Sequence, residues 1–151
     1  MAAAAALMRA ASPGQACRAV ADLRLAVSSD HTGSLYPAAV PAVSLLLRVI
    51  ATMPGGLREE AFAALLDWRG TSGPEPGFET CDDPVAGRTG ITDGIMRHVR
   101  DAVPMLRRVA GQQSGKRRRD VVALLRGLDT GWNGQDLVRA ENLVQVSDQR
   151  G

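Results

Sequence analysis

The sequence predicts an all-helical chain of antiparallel helix pairs, and three observations predict it. Apolar residues recur at helical spacing in five separate stretches. The chain is 45% apolar, yet only Tyr36, Phe62, Trp68, Phe78 and Trp132 are aromatic, so the core must be built from Ala, Leu, Val and Ile. So much alanine suits close contact of helix on helix. Finally, no stretch alternates Thr, Tyr and Phe with polar residues, as a sandwich or barrel would need.

Taken in order, Met1 to Leu7 is apolar without an amphipathic face, and residues 1–15 are expected to form a poorly ordered Ala-rich N-terminus. Ala16, Val20, Leu23 and Val27 define a first helix, closed by the polar turn Ser28-Ser29-Asp30. The clearest helix runs from about Leu35 to Met53, with Tyr36, Ala39, Val40, Val43, Leu46, Leu47 and Ile50 on one stripe. Pro37 suits its first turn, Pro41 is expected to kink it, and Pro54-Gly55-Gly56 stops it. Leu57, Ala61, Leu65 and Trp68 carry the next helix to about Arg69, close enough in sequence to pair with its predecessor as a hairpin.

Residues 70–90 hold five glycines and three prolines and read as a long loop that no regular helix can occupy. Ile95, Val99, Ala102, Val103, Leu106 and Val109 then predict one helix over about 92–110, with Pro104 inside it. Gly111 to Gly115 turns the chain, and Val121, Val122, Leu124, Leu125 and Leu128 carry a helix from about Lys116 to Leu128. Residues 129–151 read as a C-terminal capping segment or tail.

The two hairpins match one another beyond their periodicity. Ala39-Val40-Pro41 recurs as Ala102-Val103-Pro104, and Arg58 with Leu65-Leu66 recurs as Arg117 with Leu124-Leu125 at a constant offset of 59. The proline offset is 63, and removing the loop at 70–90 brings it into the roughly 40–47 residues of a two-helix repeat. The loop is thus an insertion between repeats.

On these residues the chain resembles bacterial HEAT-repeat proteins: Leu35-Tyr36-Pro37-Ala38-Ala39-Val40-Pro41 followed by Leu45-Leu46-Leu47 looks like the first helix of such a unit. The resemblance covers residues 35–128. It implies a short right-handed α-solenoid of antiparallel helix pairs, a HEAT-like domain over 16–128, with partner binding on one face. A hairpin cannot hide both apolar faces alone, and about three stacked units are usually needed. The helix from Ala16 is therefore read as the second helix of an incomplete first unit.

Charge is mild overall, at +2, which bears on solubility more than on fold. Its distribution is uneven: residues 91–128 carry nine basic and three acidic side chains, whereas residues 1–90 carry seven and nine. Seventeen arginines against one lysine resemble the usage of a GC-rich bacterial genome. Cys17 and Cys81 match no ligand spacing and are read as free thiols of a reducing, cytoplasmic compartment. The N-terminus lacks the leading positive charge of a signal peptide, and no apolar run reaches membrane-spanning length.

The candidate contacts are Arg97, Arg100, Lys116, Arg117, Arg118 and Arg119, a cationic set suited to an acidic partner or to phosphates. No interleaved aromatics accompany it for base stacking. Glu79, Cys81, Asp82 and Asp83 lack the order of a calcium loop. His31 and His98 have no second ligand at helical spacing and read as surface or structural residues. Trp132 is expected to anchor the tail. No catalytic residue, metal or cofactor is assigned. The expectation is a non-enzymatic scaffold that binds another protein, with nucleic acid as the alternative ligand of its basic second repeat.

Overall fold

A computed structural model describes residues 6–7, 9, 12–28, 33–69, 73–112 and 115–130. Among them the chain is mostly helical, with six helices and one small two-stranded sheet. His31 and Trp132 lie outside the described residues, as does the tail beyond residue 130.

Helix α1 (Pro13–Val27) starts three residues before the apolar pattern does. Ser12 explains the start: its side chain accepts a hydrogen bond from the Gln15 amide, and Pro13 occupies the first position, where no intrahelical donor is needed. The sequence places the start of α2 (Ala39–Thr52) at about Leu35, but Tyr36, Pro37 and Ala38 form a turn instead. Pro41 consequently stands in the first turn and costs no intrahelical hydrogen bond, so α2 runs unbroken to Thr52. Gly55, at φ 72°, turns the chain into α3 (Gly56–Arg69).

The insertion is not a plain loop. It is tied to the body where Leu35 donates to the Gly73 carbonyl and accepts from the Glu75 amide. It then forms an antiparallel hairpin of β1 (Thr80–Asp83) and β2 (Gly87–Gly90), with Thr80 opposite Gly90 and Asp83 opposite Gly87. The prolines and glycines that exclude a helix permit this hairpin, since Gly87 supplies the positive φ of 70° that closes a three-residue loop.

The single helix expected over 92–110 is two helices, α4 (Ile91–Asp101) and α5 (Val103–Gly111). Pro104 breaks it, because its nitrogen cannot donate to Arg100 and its ring would strike that carbonyl. Proline at the second position of α5 is harmless, and both Ala-Val-Pro motifs thus mark a helix start. Helix α6 (Lys116–Thr130) follows.

Helix α3 is the hub, packing against α1, α2 and α6, while α2 packs on α4 and α5 packs on α6. Between them lies one apolar core whose largest fully buried side chains include Trp68, Leu46, Ile50, Leu65, Ile95, Leu106 and Leu124. The repeated Leu-Leu pairs behave alike, with Leu65 and Leu124 buried and Leu66 and Leu125 half-buried. The crossing of α2 and α4 is tight: a Cβ on Gly94 would lie 3.0 Å from both methyls of Val40. No described helix is long and apolar enough to cross a membrane.

Candidate functional site

One polar cluster joins α2 to β1 and α4. Asp83 ends β1 and is buried, with one carboxylate oxygen, Oδ1, accepting the amides of Val85 at 2.7 Å and Ala86 at 3.1 Å. This is an Asx turn, in which a short carboxylate folds back on its own hairpin loop. The other oxygen, Oδ2, lies 3.0 Å from Nε2 of His98 on α4. The distance is that of an ion pair, although the approach is not that of an aligned hydrogen bond. On the opposite side of the ring, Nδ1 of His98 lies 3.0 Å from the Ser44 hydroxyl of α2.

The Val85 amide is the main cause that holds the Asp83 carboxyl below its ordinary range; burial pulls the other way, and the Ala86 amide and His98 add to the lowering. Asp83 is therefore a carboxylate at neutral pH. A nitrogen facing that carboxylate carries a proton, which assigns the hydrogen of His98 to Nε2. Nδ1 then either accepts from the Ser44 hydroxyl or, when the ring is charged, donates to it. A hydroxyl serves both roles by rotating.

Serine, histidine and aspartate in a row are the components of a nucleophilic triad, but the surroundings argue for a structural role. Ser44 lies in the middle of α2, where backbone amides are engaged within the helix and offer no pair of donors to a developing oxyanion. An apolar hollow of about 190 Å³ opens between α1, α2 and α3, lined by Leu7, Leu45, Val49 and Leu57. A shallower one of about 380 Å³ runs beside Arg18 and Asp22 of α1. Neither is lined by Ser44, His98 or Asp83. His98, read from the sequence as a surface or structural residue, is the hub of this cluster. Its partners, at positions 44 and 83, left one usable trace: an aspartate just before Pro84, the signature of a side chain that closes its own turn.

Of the cationic candidates, Arg100, Arg118 and Arg119 are exposed, on α4 and α6. Arg97 is half-buried with one guanidinium nitrogen enclosed and without a hydrogen-bond partner. Lys116 and Arg117 belong to the first turn of α6, and their side chains are outside the described set. Sequence reading missed Arg69. This last residue of α3 is 3% exposed and donates to the Ala123 carbonyl of α6, passing over Gly127, which has no side chain to block it.

The acidic members of the insertion separate. The Glu79 carboxylate accepts from the Gly77 amide, Asp82 is exposed, and Asp83 turns inward to His98. Burial, with the charges of Asp83 and Asp82 behind it, pushes the Cys81 thiol up, away from a reactive thiolate. Among the described residues no three His, Cys, Asp or Glu side chains gather as a metal site would require. No family model, no curated protein and no solved structure matches this chain.

Proposed function

We propose that this chain is a non-enzymatic protein-interaction module: a short right-handed α-solenoid of HEAT-like helix pairs that offers its inserted hairpin to a protein partner. The packing order supports the architecture. Helices α1, α3 and α6 pack in succession, as second helices of successive units would, while α4 stands beside α2 where the repeated motif would put α5.

The observation that carries the function is Val85, which is 80% exposed at the tip of a hairpin whose loop is fixed from within by buried Asp83. Phe78, 50% exposed and set edge-on to Tyr36, stands at the base of the same insertion. Ordered, exposed apolar side chains on a projecting turn bind at low entropic cost because they are held before the partner arrives. Quantitative affinity capture with the full chain and its Val85→Asp variant tests this. A protein retained by the first and depleted at least about tenfold by the second is expected, a loss of about 1.4 kcal/mol. An identical set of captured proteins contradicts the hairpin as the site.

A second reading, nucleic acid, rests on the exposure of Arg100, Arg118 and Arg119. It requires affinity for DNA or RNA that falls steeply with salt and weakens when Arg118 and Arg119 become Gln. Binding that ignores salt, or none, removes it.

A further inference from the structure

We propose that the β1–β2 hairpin is a hinged flap, latched onto the helices by the Asp83–His98–Ser44 chain and released in acid while the helical body stays folded. The hairpin has little else to hold it. Of its eight strand residues only Asp83 is buried, and the apolar contribution is limited to half-buried Cys81 and the Thr89 methyl. The latch lies at the loop end. At the other end the Ile91 amide donates to Glu79 and the Glu75 amide donates to Leu35, so the root stays attached when the tip leaves. Opening uncovers the tight crossing of α2 and α4 at Gly94, against which Thr89 packs.

The direction of the pH effect follows from Asp83. Its folded value lies below the ordinary 3.8, so its stabilising contribution is present above that value and is lost as pH falls through the folded value. Other ionisable groups stand on the elements packed against α4. Arg48 of α2, Asp82 of β1, Arg88 of β2, Arg107 and Arg108 of α5, and Arg118, Arg119, Arg126 and Asp129 of α6 are exposed. Cys81 of β1 and Asp120 of α6 are half-buried. Among the described residues none of these forms an ion pair with Asp83 or His98.

Amide hydrogen exchange of the full chain, followed residue by residue and corrected for intrinsic rates, reads the flap directly. As pH falls below about 3.8 toward the folded value of Asp83, the amides of Val85, Ala86 and the strand ladder are expected to lose about threefold or more of their protection. Those of Leu46, Ile50 and Leu65 keep theirs. His98→Gln lowers hairpin protection at neutral pH and spares the helices. Asp83→Asn keeps an oxygen for the two loop amides but has no charge to lose, so its hairpin protection is reduced and its acid step is gone. Simultaneous loss of hairpin and helix protection, no acid step in the unaltered chain, or a His98→Gln hairpin as protected as the original overturns the proposal.

Discussion

Replacing Trp68 by alanine is expected to destabilise the chain by about 3–5 kcal/mol, the usual effect of emptying a buried aromatic site. Trp68 is 1% exposed on α3, the helix that touches α1, α2 and α6, so the void opens where three contacts meet. The core is rich in alanine and branched aliphatics, and none of their short side chains can reach across a space of that size. Chemical denaturation reads the effect as a fall in midpoint at unchanged slope. Leu25→Ala is the control: Leu25 is 60% exposed on α1, and its loss is expected to change stability by less than about 0.5 kcal/mol. Equal effects at the two positions would place Trp68 outside the core.

Gly127→Val is expected to cost about 1–3 kcal/mol, the range for inserting methyl groups into a packed contact. A Cβ at 127 would lie 2.5 Å from Nε and 2.9 Å from Cδ of Arg69, so the arginine must leave its path across α6. Leaving it gives up the hydrogen bond to the Ala123 carbonyl. Burial, and after it Arg126, pulls the Arg69 guanidinium below its ordinary value, while the Ala123 carbonyl accepts from it. Arg69→Met is expected to be mild by comparison, since a flexible apolar chain fits the groove and no charge remains buried. The test is a double-mutant cycle: with Met at 69, the cost of Gly127→Val should shrink by about 1 kcal/mol or more. Additive costs would mean that Gly127 and Arg69 are not coupled.

Helical periodicity located most of the core. Val43, Leu46, Leu47 and Ile50 of α2, Leu65 and Trp68 of α3, and Ile95, Val99, Leu106 and Val109 of α4 and α5 are all buried on the faces their spacing defines. Periodicity alone overran two boundaries, and both involve proline. At Pro41 the helix started late enough to accommodate the ring, and at Pro104 it broke and restarted. The stripe through Ala102 and Val103 looked continuous because a break of one residue leaves the apolar spacing nearly intact. Helices α3 and α6, which share the Leu-Leu motif, pack against one another. The two helices that open on Ala-Val-Pro, α2 and α5, do not match as simply, since α4 takes the place beside α2.

The polar cluster was hidden for another reason. Ser44 and His98 are 54 residues apart, and a side-chain contact across that separation depends on how α4 crosses α2, which Gly94 decides and no local pattern encodes. The hairpin was equally hard to read. Its strands, Thr-Cys-Asp-Asp and Gly-Arg-Thr-Gly, are dominated by Asp and Gly, which disfavour strands, with one Thr each to favour them. They pair because a turn residue, an Asx cap and the latch from α4 hold them, and each of these lies outside a propensity argument. Arg69 and Gly127 form the same kind of long-range pair, and the isolated glycine within the α6 pattern was its one visible sign.

Site-specific photo-crosslinking tests the interaction module most directly, with a benzophenone side chain placed at position 85 in one preparation and at position 119 in another. If the hairpin meets a protein partner, position 85 yields a discrete protein adduct that an excess of the unlabelled chain suppresses, and position 119 yields none or a weaker one. A nucleic-acid adduct at position 119, with no protein adduct at position 85, would contradict the account and transfer the function to the arginines of α4 and α6.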